Sequence, residues 1–449
     1  MEMIAEAVAL VTFASLLFSL DYMREERAKL KFFALMIFFS FSMELFLFAQ
    51  DWLTLFLSWE IMSLCSYMLI GFYDTKRARK AARKAIVLTR VGSASLLLAM
   101  GYIYAVTGSL RIGTVPPLAA ILIFIAALSK ASQFPFSWLP DAMEAPTPAS
   151  ALLHAATMVN AGPILLFKLS PSFRFLQPFI FFSSFISLVL ASLSALQENN
   201  LKRILAYSTV ASLAILFTLF DSPLFIPFFL IHAFSKASLF FIGGELAKHR
   251  GYELEMDYSR KSLQAFLFLF FSLSIAGFPP FGAFWIKASE LSAFSLLSFI
   301  LSLAYFLRAY FYIFAGNRIS RAGLGTLSSL LLLPFSVLPT LPLLTANFLA
   351  FAAFIALAPS AYFLTRFEPF FDVFSKVFNI PECVDLHLHN FESLIDRSIY
   401  RAGVRMQRLS LVVRRLFTGP VSRDVALSLI HISEPTRPRL ISYAVFCLK

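Results

Sequence analysis

Lysine and histidine side chains lie inside long apolar runs of this sequence, and the chemistry open to such groups is proton transfer. Lys130 ends one run, in SKASQFPF, and His154 lies within the next, in LLHAATMVNAG. A proline-rich break containing Pro135, Pro140 and Pro146 separates them. A lysine at the centre of a membrane helix costs roughly 2.5 kcal/mol or more, and a helix broken there needs its freed backbone groups satisfied by protein or water. These features indicate an interior polar site rather than an anchor.

The same combination of a break and a lysine recurs later in the chain. The stretch AGFPPFGAFWIKASEL breaks at Gly277, Pro279 and Pro280 and places Lys287 just behind the break. Two interrupted spans in separate halves of a membrane protein point to an inverted repeat with functional sites near the midplane. The sequence therefore predicts that Lys130 and Lys287 occupy corresponding positions in two related halves and act together.

Three further ionisable residues are candidates for the same chemistry. His232 and Lys236, in LIHAFSKASLFF, are four residues apart and share one helix face, which suggests a polar file. Glu60, in LFLSWEIMSLC, lies well inside an earlier apolar run, where ionisable residues are functional candidates by default. Histidine suits proton exchange because its unperturbed pKa lies closest to physiological pH.

Each candidate also has a structural interpretation that the sequence leaves open. Glu60 can be a carboxylate buried for packing, with Arg90 as its partner, and a structural ion pair is the role we expect for Arg90. Lys130 can extend its amine to the membrane interface. His154 can be a hydrogen-bonded core residue, and the two residues on the shared helix face can be a structural pair.

The elements that must position these residues are transmembrane helices. Of 449 residues, 59% are hydrophobic and 14% are charged, with a mean hydropathy of +0.77, whereas about a quarter of a globular sequence is charged. Apolar runs of about twenty residues, the length that crosses a bilayer core, recur throughout. We predict an all-α polytopic membrane protein with about 13 transmembrane helices, at 3–20, 31–49, 52–72, 85–106, 116–133, 148–168, 176–196, 203–220, 223–246, 265–286, 290–315, 326–346 and 347–365.

The distribution of positive charge sets the predicted orientation. The net charge is +12, and the odd-numbered connections between spans carry most of their Lys and Arg, including Lys202 and Arg203. The even-numbered connections hold only Arg111, Lys168, Arg174 and Lys287. By the positive-inside rule the N-terminus lies outside and the odd connections lie in the cytoplasm. This one-sided pattern argues against nucleic acid as a partner. The first run lacks a basic leading segment, so we interpret it as a membrane helix and not a signal peptide.

The last part of the chain differs from the transmembrane domain predicted over residues 1–366. Residues 367–424 mix apolar residues with arginines and are predicted to form one or two amphipathic helices on the membrane surface. Cys383, His387 and His389 fall in this segment and are not expected to bind a metal. We interpret residues 425–449, too short for a span and too apolar for a solvated tail, as a reading-frame or sequencing artefact.

Several motifs resemble one known family. SWEIMSLCSYMLIGFY, SKASQFPFSWLPDAMEAPTPASALLHAATMVNAG, NNLKRILAYSTVASLAIL, HAFSKASLFF and AGFPPFGAFWIK are similar to the antiporter-like subunits of respiratory complex I, Mrp-type cation/proton antiporters and energy-converting membrane-bound hydrogenases. The likeness covers roughly residues 10–320. Members of this family typically begin with about two further helices before the region that matches the first span.

The resemblance implies two inverted five-helix repeats, each with one broken helix. It also likens segment 367–424 to the lateral helix with which some members clasp their neighbours. It further implies a translocation path. Lys130 is the implied lysine of the first channel, Glu60 the carboxylate that tunes it, and His154 the linking group. His232 and Lys236 are the implied polar residues leading to the second half-channel, and Lys287 is its implied terminal lysine. The implied partners are other membrane subunits, among them other antiporter-like subunits, and redox subunits elsewhere in the complex.

Three functions remain open from the sequence. The chain can be a proton- or sodium/proton-translocating subunit of a redox-driven complex in a prokaryotic plasma membrane. It can instead be a subunit of a stand-alone Mrp-type sodium/proton antiporter, or a scaffold whose channel no longer conducts. The sequence has no phosphate-binding loop, dinucleotide fingerprint or cysteine cluster. We therefore expect no cofactor, and no electron transfer by the chain itself.

Overall fold

The computed structural model describes residues 1–248, 251–254, 258–260, 262–290, 293–316 and 322–337. Regular structure in this part of the chain is helical, with three isolated β-bridges. The α-helices are α1 (Glu2–Tyr22), α2 (Lys29–Phe48), α3 (Trp52–Ile70), α4 (Lys76–Thr107), α5 (Pro117–Lys130), α6 (Thr147–Ala155), α7 (Ala161–Lys168), α8 (Gln177–Gln197), α9 (Leu201–Thr218), α10 (Phe225–Ala247), α11 (Leu263–Ala276), α12 (Gly282–Glu290), α13 (Ala293–Ile313) and α14 (Leu324–Val337). Short 3₁₀ helices cover Asp141–Glu144, Met158–Asn160 and Ser170–Leu176.

The predicted multi-pass membrane architecture is confirmed. Within the described residues, nine helical stretches are long and apolar enough to cross a membrane. Each of the first eleven predicted spans has a helical counterpart, and the twelfth begins as α14. The thirteenth span and the segments 367–424 and 425–449 lie outside the described residues. The inverted relation between the two repeats stays a prediction.

Polar side chains fix where several helices begin. The side chains of Asp51, Thr75, Asn200 and Ser262 each accept a hydrogen bond from a backbone N–H in the first turn of the helix that follows. Such caps satisfy donors that the helix itself leaves unpaired. The cap at Thr75 starts α4 well before the predicted span at 85, so the basic first turns of α4 extend beyond its apolar part.

The predicted span 148–168 is divided by a short interruption between α6 and α7. The hydroxyl of Thr157 donates to the carbonyl of Leu152 at 2.6 Å, and the Asn160 amide donates to the carbonyl of Ala155 at 2.9 Å. These side chains satisfy carbonyls at the end of α6, as a break inside a membrane requires. Polar residues in an otherwise apolar run were a weak signal, and the sequence did not predict this break.

Helix α10 is the centre of the fold. It packs against α1, α6, α9, α11 and α14, and almost all of its side chains are buried. Large apolar side chains on outer helices are exposed instead, as expected where a bilayer replaces water as the solvent; examples are Phe13, Phe41, Phe179 and Phe182. The polar residues of α10 are therefore shielded by protein on every side that the structure describes.

Glu245, near the end of α10, holds the start of α14. Its carboxylate accepts hydrogen bonds from the backbone N–H groups of Gly323 at 2.8 Å and Thr326 at 2.7 Å. The Thr326 hydroxyl and the Gln264 amide donate to the same carboxylate at 2.7 and 3.0 Å. A negative charge at a helix N-terminus is favourable, and hydrogen bonds to a charged group are among the stronger ones. Glu245 thus joins α10, α11 and α14.

Replacing Glu245 by glutamine is expected to lower the free energy of unfolding by about 2 kcal/mol. The substitution removes the charge and turns one acceptor into a donor that faces backbone N–H groups. Thermal unfolding of the purified protein in detergent measures the change. Glu253→Gln, at an exposed position, is the matched control and should leave the melting temperature unchanged. An equal, small shift for both variants would contradict the capping role.

Candidate functional site

The first part of the site lies where α5 ends against α3. Lys130 is 1% exposed, and its Nζ donates to the carbonyl of Trp59 at 2.7 Å and to the hydroxyl of Ser63 at 2.6 Å. The same nitrogen lies 4.7 Å from the centroid of the Trp59 ring. The amine is therefore held inside the protein, which contradicts the alternative that Lys130 extends to the interface.

Glu60 pairs with Arg90, as the structural ion pair predicted for that arginine requires. The Arg90 side chain is 52% exposed and that of Glu60 is 16% exposed. The second carboxylate oxygen of Glu60 has no hydrogen-bond partner among the described residues. Glu60 does not bond to Lys130, but the two side chains are close enough for their charges to interact. This arrangement lets the state of the ion pair influence the charge on Lys130.

The break after Lys130 satisfies its own backbone, as the cost of burying unpaired groups demands. The Ser132 hydroxyl accepts hydrogen bonds from the N–H groups of Trp138 at 3.0 Å and Leu139 at 3.1 Å. The Trp138 indole donates to the carbonyl of Ser129 at 2.9 Å. The N–H of Phe134 donates to Ser187 of α8 at 2.9 Å. The chain that follows Lys130 is therefore held in one conformation inside the protein by these hydrogen bonds.

The two histidines meet between α6 and α10. Both are fully buried, and the Nε2 atom of His232 lies 3.2 Å from the backbone carbonyl of His154. The His154 ring contacts the Phe240 ring, with centroids 5.0 Å apart. Neither ring nitrogen of His154 has a hydrogen-bond partner in the described part of the chain. Buried polar atoms usually have a hydrogen-bond partner, so both ring nitrogens of His154 are available to one.

Lys236 lies one helical turn beyond His232 and is fully buried. Its Nζ bonds to the hydroxyl of Ser208 on α9 and lies 5.4 Å from the centroid of the Phe306 ring. Lys236 is also close enough to His154 and Lys287 for their charges to interact. A hydroxyl and an aromatic face stabilise an ammonium less than a carboxylate does, so the lysine is not locked in its charged form.

Lys287, on α12, contacts the end of α11 across the second break. It is 2% exposed, and its Nζ donates to the carbonyl of Ala276 at 2.7 Å, at the end of α11. Gly277 adopts a φ of +86°, and a Cβ there would lie 3.0 Å from the Cδ atom of Lys287. Glycine therefore both permits the turn and makes room for the lysine stem. One further polar contact joins this region to α10, since Ser235 and Ser274 hydroxyls lie 3.4 Å apart.

On the sequence alone Lys202 counts among the charges of an odd-numbered connection, whereas the structure makes it part of a helix and buries it. Lys202 is the second residue of α9 and is only 5% exposed. Its Nζ donates to the carbonyl of Met143 at 2.9 Å and to that of Ala145. Nothing in the sequence indicates this burial, because NNLKR has the composition of a loop. The residues that accept hydrogen bonds from Lys202 lie 57 and 59 positions away in the chain.

The predicted residues thus form two groups within the described chain. Lys130 and Glu60 lie together between α3, α4 and α5. His154, His232, Lys236 and Lys287 lie together around α10. The break that follows Lys130 reaches toward the second group, since the Gln133 amide donates to the carbonyl of Val210 on α9 at 3.1 Å. Buried amines, imidazoles and hydroxyls of this kind can hold and pass protons.

Comparison with known proteins identifies the same region. A family model described as NADH:quinone oxidoreductase/Mrp antiporter, TM, matches residues 49–312, more than half of the chain. The matched range contains every candidate residue from Glu60 to Lys287.

Curated relatives agree with the family model. NAD(P)H-quinone oxidoreductase subunit 5, chloroplastic, from Lemna minor is 34% identical over 352 residues, which cover 67% of this chain and 47% of the relative. The protein of the same name from Helianthus annuus is 36% identical over 314 residues, covering 61% of this chain and 42% of the relative. The chain therefore spans less than half the length of these curated relatives.

Solved structures share the fold. A chain of the Mrp complex from Dietzia sp. DQ12-45-1b matches with a TM-score of 0.69 at 23% identity, over 100% of this chain and 56% of that chain. A chain of the membrane-bound sulfane sulfur reductase, an archaeal respiratory membrane complex, matches with a TM-score of 0.68 at 23% identity, over 80% of each chain. The predicted all-helical membrane fold is confirmed by both.

Proposed function

The chain belongs to the family of transmembrane NADH:quinone oxidoreductase and Mrp antiporter subunits, and from this membership we propose that it translocates protons as an antiporter-like subunit of a larger membrane complex. The ion is a proton, or a proton exchanged for sodium. The path runs through Lys130, His154, His232, Lys236 and Lys287, with Glu60 acting on Lys130 through its charge.

The observation that supports this proposal best is the burial of three lysines without a bonded carboxylate. Lys130, Lys236 and Lys287 are each at most 2% exposed, and the described structure gives them carbonyl and hydroxyl acceptors. Burying an ammonium without a counter-ion is costly. A fold that does so three times favours groups that alternate between charged and neutral forms.

The energy of such a step is of the right size. Moving one charge against 100 mV needs about 2.3 kcal/mol, and a change of one to two pKa units supplies about 1.4 to 3 kcal/mol. A partner that changes the charge near one lysine can therefore drive a proton to the next. The Glu60–Arg90 pair is suited to receive such a change, because Arg90 is half exposed on the outer face of α4.

The partners we propose are other membrane subunits, including other antiporter-like subunits, and redox subunits elsewhere in the same complex. The proposed location is a prokaryotic plasma membrane. The charged connections support an orientation with the N-terminus outside. The alternative is a subunit of a stand-alone Mrp-type sodium/proton antiporter.

Purification of the complex that contains this chain, followed by reconstitution into vesicles, tests the proposal. Identifying the co-purifying subunits and following the internal pH with a fluorescent dye separate the two functions. Electron transfer that acidifies or alkalises the lumen supports the redox-driven subunit. Proton movement driven only by a sodium gradient, with no redox subunit present, supports the antiporter. A complex of normal activity in which Lys130 and Lys287 are both methionine would instead indicate a scaffold.

A further inference from the structure

Exposed positive charge is concentrated on two short stretches at the membrane end formed by the odd-numbered connections. Residues 24–31 join α1 to α2 and begin α2, and residues 74–83 join α3 to α4 and begin α4. Together they contain nine Lys and Arg residues but three Asp and Glu residues. All nine cations are exposed. We call the nine Lys and Arg residues of these two ranges the basic surface.

The cations of later odd-numbered connections have partners within the protein. Arg203 pairs with Glu198 at 3.2 Å, and Lys248 pairs with Asp21 at 2.9 Å. Arg260 donates to a backbone carbonyl at 3.0 Å. The positive-inside rule explains why such residues lie on this side of the membrane, and these three also bind other parts of the chain.

The basic surface differs because most of its charge is unpaired. Among the described residues, Arg79 is the one member that forms an ion pair, with Asp74 at 3.2 Å. The Arg83 Nε donates to the carbonyl of Arg79 at 3.3 Å. Lys76 and Arg77 lie in the first turn of α4, where positive charge opposes the helix macrodipole. The surface therefore favours an anion that the described chain does not supply.

Helix α4 places these charges at the level of lipid headgroups. It has 32 residues, and within 85–107 Arg90 is its single charged residue. That apolar part rises roughly 35 Å, enough to cross the hydrocarbon core of a bilayer at about 30 Å. The preceding turns therefore lie among the headgroups. Lys76, Lys80 and Arg83 share one face of α4 there.

Aromatic contacts join the two parts of the basic surface. The Phe72 ring lies 5.4 Å from that of Phe32 and 5.7 Å from that of Tyr73, between centroids. Phe32 directly follows the first range, and Tyr73 directly precedes the second. Tyr73 is 38% exposed, as is typical of tyrosines at the membrane interface. The charged starts of α2 and α4 are therefore linked through the end of α3.

Below the charges, α3 presents apolar surface. This helix packs against both α2 and α4. Its Leu64 and Met68 share one helix face and are 50% and 36% exposed. A phospholipid covers surface of this kind with its acyl chains while its phosphate remains at the level of the cations. An acidic segment of a soluble partner would supply the charge but would leave this apolar surface uncovered.

We propose that the basic surface binds an anionic phospholipid, with the phosphate at Lys76, Lys80 and Arg83. The acyl chains lie on the exposed face of α3 that carries Leu64 and Met68. Clusters of Lys and Arg beside a transmembrane helix attract anionic lipids, and here unpaired cations and apolar surface adjoin. The site is separate from the translocation path and does not depend on the proposed function.

The test measures the lipid that the purified complex containing this chain retains. The complex is washed in detergent micelles with equal amounts of dioleoylphosphatidylglycerol and dioleoylphosphatidylcholine, and the bound lipid is quantified by mass spectrometry. The parent should retain phosphatidylglycerol in preference. A chain with Lys76→Gln, Lys80→Gln and Arg83→Gln should bind it at least about tenfold more weakly, because each cation near an anionic surface contributes about fivefold.

A charge-preserving chain is the matched control. Lys76→Arg, Lys80→Arg and Arg83→Lys should retain as much phosphatidylglycerol as the parent, and glutamine, lysine and arginine have similar helix propensities. Equal retention by the parent and the glutamine variant overturns the proposal, as does equal loss in both variants. Loss of another subunit from the glutamine variant, with its lipid unchanged, overturns it in favour of a protein partner.

Two measurements on the parent complex complete the test. Inorganic phosphate at the lipid concentration should not displace the phosphatidylglycerol, and displacement overturns the proposal in favour of a free anion. If the glutamine variant does not assemble, a wash in about 1 M salt decides, because such salt screens exposed charges within about 3 Å. Release of the phosphatidylglycerol supports the site, and full retention overturns it.

Discussion

Replacement of Lys236 by methionine is expected to lower proton translocation by about 100-fold or more while the complex still assembles. Methionine has nearly the volume of the lysine stem and cannot carry a proton. Lys236 is fully buried between α9 and α13, against Ser208 and Phe306. Vesicle pumping with a pH-sensitive dye measures the rate. In the proposed path Lys236 lies between His232 and Lys287. It is the single lysine of α10, so no neighbouring lysine on this helix can replace it.

The stability of the same variant gives a second, opposite expectation. Replacing a buried charge by a packed apolar side chain is often neutral or stabilising, by up to about 1–4 kcal/mol. The melting temperature should therefore stay constant or rise while pumping is lost. Lys248→Met, at the end of the same helix, is the matched control. Lys248 pairs with Asp21 at 2.9 Å and is 39% exposed, so neither pumping nor stability should change. Retained pumping in Lys236→Met would contradict the proposed path.

The second large effect is expected from Gly162→Ala. A Cβ at Gly162 would lie 2.5 Å from the carbonyl oxygen of Ala127 and 3.2 Å from the Cβ atom of Ala131. Because these are atoms of the backbone and of a short side chain at the end of α5, they can yield only if α5 and α7 separate. Overpacking of this kind typically costs about 1–3 kcal/mol. The same shift displaces Lys130, three residues beyond Ala127, so pumping should fall with stability.

Gly101→Ala is the control for this substitution. Among the described residues, no heavy atom lies within 4 Å of a Cβ added at Gly101, on the exposed face of α4, and alanine favours the helix there. The melting temperature of this variant should equal or exceed that of the parent. Equal stability of Gly162→Ala and Gly101→Ala would show that the close approach of α5 and α7 does not matter.

The membrane fold could be predicted because its signals are local. Apolar runs, proline and glycine breaks and one-sided positive charge locate the spans and both breaks. The burial of Lys130, His154, Lys236 and Lys287 agrees with their positions in such runs. Position alone does not decide burial, because Arg90 lies in the span predicted at 85–106 and its side chain is 52% exposed. The roles of the four buried residues in translocation remain predictions.

The features that the sequence did not reveal depend on contacts between distant residues. Lys202 resembles a loop charge until the carbonyls of Met143 and Ala145 cover it. Glu245 resembles an interfacial carboxylate until Gly323 and Thr326 of the α14 start approach it. In both cases the side chain satisfies backbone groups that become unpaired only in the tertiary structure. The burial and the partners of a charged residue beside a helix end therefore cannot be predicted from the sequence around it.

The central claim, that Lys130 carries protons, is tested most directly by Lys130→Ala in the reconstituted complex. The measurement is the initial rate of internal pH change in sealed vesicles, driven by whichever force, electron transfer or a sodium gradient, supports pumping by the parent. We expect the rate to fall below about one tenth of the parent value, with the co-purifying subunits unchanged. Pumping at the parent rate would contradict the account.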